Sequence, residues 1–269
     1  MKRTFYIEPG DINKSDVLLC ELSQNHVALA WANPDTKKLK GLSYYELRNL
    51  LEPEKLQDIL NDENSSAQQW HRVIVSSGFK NVLLVPSSQF TEEGARRLFA
   101  TTYNLNGDML FYNEIPHYNL MLVHALPQGY MSVLKSLQPA ETVHSYQCLL
   151  QSHTVVATSN QLSVHFMGKE FEVAAVKEEQ LQVLQTYLYT TPLDVVYYLL
   201  SICQQFGLEQ SGTSLVLSGM ISEDSALYKE LYQYFSDVRL WAPAPKTALQ
   251  SEYPQHFFSS LYNLAACVL

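Results

Sequence analysis

The sequence predicts an α/β chain made of two similar units, and three observations carry that expectation. Its 269 residues suit about two domains at ~100–200 residues each. A hydrophobic content of 46% is that of a globular core rather than a disordered chain. Short apolar strands joined by a tight turn occur near residue 17 and again near residue 154, and a buried strand followed by a capped helix also occurs in each half.

In the first half, residues 17–22 read as a strand and residues 26–31 as a second, across a turn of Ser23, Gln24 and Asn25. Residues 54–60, behind Pro53, form a short helix. The run 72–76 is expected to pair with the buried run 82–86 across Gly78. Thr91, Glu92 and Glu93 open a helix: the hydroxyl satisfies an orphan N–H, and the carboxylates meet the positive end of the helix dipole. Residues 109–112 and 120–125 read as a hairpin whose middle is demoted by Pro116. A helix over 128–137 lies between Pro127 and Pro139, and 143–151 bridges the halves.

The second half repeats the figure. Residues 154–158 read as a strand, Ser159 and Asn160 as a turn, 162–167 as a strand, and 171–176 as a third across Gly168 and Lys169. Residues 178–188 and 193–206 are expected to be consecutive helices parted at Pro192, with Glu178 and Glu179 in a first turn and Gly207 as the stop. The run 215–219 is a buried strand. Ser222, Glu223 and Asp224 then open a helix through Leu227, Leu231 and Phe235, matching the strand 82–86 and the helix behind Thr91. Residues 256–267 form an amphipathic helix. The expected domains are 1–150 and 151–269.

Composition excludes several functions. Lys and Arg number 18 against 27 Asp and Glu, a net charge of −9, which repels phosphate backbones and argues against nucleic-acid binding. No signal peptide or membrane span is expected. The four cysteines form no C-x-x-C, so neither a zinc ribbon nor a redox pair is expected, and a cytoplasmic location follows. No phosphate loop, G-x-G-x-x-G, G-x-S-x-G or H-E-x-x-H occurs, so no metal site is expected. Ser132 and Lys135 match S-x-x-K without its partner motifs and read as a helix surface. Seventeen tyrosines beside few charges (17% of residues) suit packed sheets and, as a functional reading, a protein partner.

Leu84-Val85-Pro86 followed by Phe90, Asp194-Val195-Val196-Tyr197-Tyr198, and Leu217-Ser218-Gly219-Met220-Ile221-Ser222 followed by Ser225-Ala226-Leu227-Tyr228 together resemble a bacterial domain-of-unknown-function family. Its structural relatives have the actin-like ATPase fold. The resemblance implies two ribonuclease-H-like domains, each a mixed five-stranded-type sheet flanked by helices, around a cleft. It also implies an inserted helix–hairpin–helix subdomain at about 91–137, similar in architecture to that of cell-division and pilus-assembly bacterial actins.

The resemblance further implies two phosphate-binding hairpin turns rich in Asp and Gly, and a Gly pair that receives adenosine. Here the first turn is Glu21-Leu22-Ser23-Gln24-Asn25-His26 and the second lies around Thr158, Ser159 and Asn160; both lack Asp and Gly. The adenosine loop, Ser218-Gly219-Met220, keeps one glycine and sets a bulky Met beside it. The expectation is a pseudoenzyme without catalytic residues that acts with a protein partner, magnesium ATP being a disfavoured cofactor. The alternative is a nucleotide or small phosphorylated ligand held without turnover, with Ser23, Thr158, Ser159 and Ser218 as hydroxyl donors. Nuclease chemistry needs converging carboxylates, and only Glu21 is placed for it.

Overall fold

A computed structural model describes residues 2–47, 52–63, 72–105, 107–135, 140–151 and 160–269. The chain divides into two compact units, Met1–Gln147 with Leu264–Leu269, and Cys148–Asn263.

The first unit begins with four strands, β1 (Lys2–Ile7), β2 (Val17–Leu22), β3 (His26–Ala32) and β4 (Leu39–Glu46). Helix α1 (Pro53–Glu63), β5 (Arg72–Ser77), β6 (Val82–Pro86), α2 (Glu92–Thr102), β7 (Met109–Ile115), β8 (Leu120–Leu126), α3 (Gln128–Lys135), β9 (Ala140–His144) and α4 (Ser145–Gln151) follow. Six strands form one sheet in the order β1-β4-β3-β2-β5-β9. The strands from β4 to β2 form an antiparallel meander, while β5 and β9 run parallel to β2. β2 and β3 are buried along their whole length, as continuous apolar runs require. Leu56, Ile59 and Leu60 of α1 lie one helical turn apart and pack with Tyr130, Val133 and Leu134 of α3 onto Leu18, Cys20 and Leu29.

The second unit holds β10 (Asn160–Met167), β11 (Glu170–Lys177), β12 (Gln180–Leu188), α5 (Pro192–Phe206), β13 (Thr213–Gly219), α6 (Ala226–Leu231), β14 (Asp237–Leu240) and α7 (Ser259–Val268), whose last residues count with the first unit. Its sheet is ordered β12-β11-β10-β13-β14, again an antiparallel meander followed by two parallel strands. The order matches β4-β3-β2-β5-β9 strand for strand, so the duplication is present in the topology itself. Val195, Val196, Leu199, Ile202 and Cys203 of α5 cover Leu162, Val164, Leu215 and Leu217. Thr191 and Asp194 cap α5 reciprocally, and Gly207 ends it in the left-handed region.

Several expectations are corrected. Residues 178–188 are not a helix: β12 occupies 180–188, and Glu178 and Glu179 take φ of 49° and 64°, the mirror-image turn that joins twisted hairpins. Leu181, Leu184 and Leu188 imitate a helical period, but pairing with the apolar β11 decides the outcome. β5 does not pair with β6. The Gly78 N–H donates to the Leu22 carbonyl at 2.7 Å, extending the parallel ladder instead of turning back.

β6 pairs with β8 in a separate sheet, β6-β8-β7, which packs on Ala95 and Phe99 of α2. This insertion therefore contains β6 as well as the residues after 91. The counterpart of β13 is β5, not the strand at 82–86. Ser222 does not cap a helix: it is hydrogen-bonded to Asp224, and Ser225 caps the shorter α6 by accepting the Tyr228 N–H. β1, β4, β9 and β14 were not expected from the sequence. β4 is interrupted in sequence by Gly41, where a Cβ would meet the Pro9 backbone at 2.5 Å. The expected strand at 154–158 lies outside the described residues.

Candidate functional site

The turn between β2 and β3 is closed by its own side chains. Ser23 Oγ accepts the N–H groups of Asn25 at 3.2 Å and His26 at 3.0 Å, and lies 2.7 Å from His26 Nδ1. His26 Nε2 lies 3.1 Å from Glu21 Oε1. A hydroxyl has two lone pairs and one proton. With both lone pairs taken by backbone N–H groups, Ser23 donates to Nδ1, which places the ring proton on Nε2, facing the Glu21 carboxylate. Ser23 N–H donates to the His26 carbonyl at 3.0 Å, so three backbone donors of the turn end inside it. Glu21, Ser23 and His26 are all buried, and Tyr44 stacks on the His26 ring at 5.1 Å. Burial beside Glu21 pushes the Cys20 thiol and the Tyr44 phenol up, so neither ionises near neutrality.

Two more histidines lie near the ends of the parallel strands. His144, last residue of β9, has Nε2 2.9 Å from the Phe79 carbonyl, and its Nδ1 accepts the Tyr146 N–H at 3.1 Å. His124 of β8 lies 5.2 Å from it, ring to ring, with Nε2 2.9 Å from Asn113 Oδ1. Burial lowers both, His144 to about 4, so both rings are neutral at pH 7.

In the second unit, Ser218 and Gly219 end β13. Ser218 Oγ is 3.0 Å from His165 Nδ1 and 3.3 Å from the Val164 carbonyl, and Ser259 Oγ is 3.2 Å from the same Nδ1. Glu172, His165 and Ser218 stand opposite one another on β11, β10 and β13, so they share a sheet face. Gly219 has φ +75°, and a Cβ there would lie 2.2 Å from the Phe166 carbonyl oxygen. The glycine is required by this close approach of two backbones, whether or not a ligand is nearby. Met220 N–H donates to the Phe166 carbonyl at 2.9 Å, Ile221 N–H to Gly219 at 2.8 Å, and His256 Nε2 to the Ile221 carbonyl at 2.7 Å.

The expected residues divide between the two units. Glu21, Ser23, Gln24 and Asn25 share the first turn. Ser218, Gly219 and Met220 form the loop after β13. Asn160 is the first residue of β10, paired with Thr213; Thr158 and Ser159 lie outside the described residues. By strand order, the counterpart of the Ser23–Asn25 turn is the exposed pair Gly168 and Lys169 between β10 and β11, where Tyr189 Oη donates to the Gly168 carbonyl at 2.8 Å. His26, His165 and Ser259 were missed. For His26 and His165 the signal was a polar residue on an otherwise apolar, buried strand, which must find a partner, whereas Ser259 opens α7 and gave no such signal. Among the described residues no three His, Cys, Asp or Glu side chains are placed to hold a metal.

Two mixed sheets of the same strand order, each flanked by helices, define the duplicated ribonuclease-H-like architecture of the actin-like ATPase fold. The chain belongs to the family described as protein of unknown function DUF3822, whose model matches residues 10–238. A crystal structure of a protein with actin-like ATPase fold and unknown function from Bacteroides thetaiotaomicron is similar over 94% of this chain and 96% of that one, at 18% identity and a TM-score of 0.78. A chain of a PilM–PilN type IV pilus biogenesis complex is similar over 94% and 98%, at 14% identity and a TM-score of 0.65. No curated protein matches the chain. Among the described residues no helix is long and apolar enough to cross a membrane.

Proposed function

We propose that this protein is a non-catalytic member of the actin-like fold that serves as an interaction or assembly component. The observation that carries the reading is the Ser23 hydroxyl, which takes up the Asn25 and His26 N–H groups. In a phosphate-binding turn such donors face an anion. An anion here would have to break both hydrogen bonds and enter beside the Glu21 carboxylate, which repels it. The loop at Ser218, Gly219 and Met220 supports the same reading, since its hydroxyl and N–H groups are engaged by His165, Val164 and Phe166. The likeness to a chain of a pilus biogenesis complex supports action through a protein partner. The free cysteines, three of them buried, support a reducing, cytoplasmic setting.

Calorimetric titration with ATP and ADP, each with magnesium at millimolar concentration, tests the reading. No heat of binding and no rise in melting temperature are expected; saturable binding at that concentration would overturn it. One observation favours a second reading, a phosphorylated ligand held without turnover: the exposed Gly168 and Lys169 pair stands at the strand position of a phosphate turn. Under that reading the same titration gives binding that Lys169→Ala weakens.

A further inference from the structure

We propose that the insertion formed by β6, β7, β8 and α2 is a flap that acid releases, latched to the six-stranded sheet through His124 and His144. The inference goes beyond the assembly reading and does not rest on it.

The latch has two parts. At the neck between β5 and β6 the returning strand β8 lies alongside, with the Ala125 N–H donating to the Asn81 carbonyl at 3.2 Å. His144, at the end of β9, holds this neck by donating Nε2–H to the Phe79 carbonyl at 2.9 Å. Further along, Asn113 of β7 donates from Nδ2 to the Thr142 carbonyl of β9 at 3.1 Å. His124 of β8 backs that bond, with Nε2 2.9 Å from Asn113 Oδ1. Leu126 and Phe111 add apolar contact with the core under α1 and α3.

These contacts fix both rings as single tautomers. The Thr142 carbonyl can only accept, so the Asn113 amide turns its oxygen toward His124. Nε2 of that ring therefore carries the proton, and Nδ1 is bare. His124 Nδ1 is buried without a hydrogen-bond partner among the described residues. His144 Nδ1 is also bare, since it accepts the Tyr146 N–H at 3.1 Å. A second proton must go to Nδ1 in either ring. On His144 it sets donor against donor at Tyr146; on His124 it makes a buried N–H with no acceptor. The rings lie 5.2 Å apart, so charge on one opposes charge on the other.

The surrounding groups offer a charged ring no compensation. Phe111 of β7 stacks on His124 at 5.4 Å, and Tyr146 of α4 lies edge-on to His144 at 4.6 Å. Val82 of β6 stands opposite His124, and Ser77 of β5 opposite His144. Glu114 of β7 and Glu141 of β9 point to the other faces of their strands from Asn113 and His144, and Glu141 is taken by Arg72. Helix α2, which carries Glu92, Glu93, Arg96 and Arg97, covers the far face of the insertion sheet. α4 has no charged residue, and Lys80 at the neck is a cation. Separating the insertion from β9 gives both rings to water, where they accept the proton freely.

Amide hydrogen exchange of the full chain at pH 7 and pH 5, corrected for the intrinsic pH dependence of exchange, tests this. A ring that titrates near 6.5 when released and about 4 when docked makes opening about twentyfold more frequent at pH 5. Protection of the β7 and β8 amides is expected to fall by at least that factor. Amides of β2 and β3, in the same unit, should stay at least about tenfold better protected than those of β7 and β8 at pH 5. In His124→Gln the amide keeps a donor for Asn113 but does not titrate, so the fall should shrink at least about threefold. Circular dichroism melts at pH 7 establish that this variant folds; if it does not, the contrast between strands in the wild-type chain decides. Unchanged protection of β7 and β8, an equal loss across β2, β3, β7 and β8, or a folded His124→Gln that loses as much as wild type would each overturn the proposal.

Discussion

Ser23 has one oxygen, and four groups converge on it: two backbone N–H donors, the His26 ring, and the His26 carbonyl at 3.4 Å. Ser23→Ala leaves the Asn25 and His26 N–H groups without that acceptor, His26 buried and Asn25 half-buried, and deprives His26 Nδ1 of a donor. Losing them should destabilise the chain by about 2 kcal/mol, read as a fall in the urea midpoint at unchanged slope. Gly219 is constrained by backbone instead. At φ +75° with the Phe166 carbonyl 2.2 Å from any added Cβ, Gly219→Ala combines backbone strain with overpacking. A loss of about 3 kcal/mol is expected in the same assay. This glycine shows how a residue can be visible in a sequence while its reason is not. Gly219 resembled half of a ligand-binding pair, and only the distance to Phe166 reveals a packing requirement.

At the scale of elements, long apolar runs with end signals were readable. α5 follows from Thr191, Pro192 and Gly207, α2 from Thr91 and its two acids, and β2, β3, β10 and β11 from uninterrupted burial. β12 was not readable, because its leucines fit both periods and neither Glu178 nor Glu179 is a residue associated with positive φ. That mismatch predicts a gain. Glu178→Asn with Glu179→Gly fits the left-handed turn and should stabilise by about 0.5–1 kcal/mol in thermal unfolding. β9 and β14 escaped notice because short parallel strands are set by their neighbours more than by their own residues. The pairing of β5 escaped because Gly78, a turn signal, here continues the ladder to Leu22.

For the whole molecule, the expectation of two repeated units was right for partly wrong reasons. The duplication shows in the strand order of the two sheets, while the strand–helix pair at 82–99, taken from sequence as a repeat, belongs to the insertion. A second whole-molecule property is acid sensitivity. His144 and His124 have folded-state values lowered below 6.5 by burial, so below pH 6.5 the unfolded chain binds protons that the folded chain refuses, for His144 down to about 4. Stability from these rings is complete above pH 6.5 and declines as pH falls below it, for His144 down to about 4 and by on the order of 3 kcal/mol. Denaturation midpoints taken from pH 7 to pH 4 should fall accordingly, and less steeply in His144→Gln.

The central claim, that the first turn has turned its donors inward, is tested most directly by amide hydrogen exchange at Asn25 and His26, with and without millimolar ADP and magnesium. Both amides should be protected in the free protein, through Ser23 Oγ, and unchanged by nucleotide. Fast exchange in the free protein with protection appearing on addition of nucleotide would contradict the account.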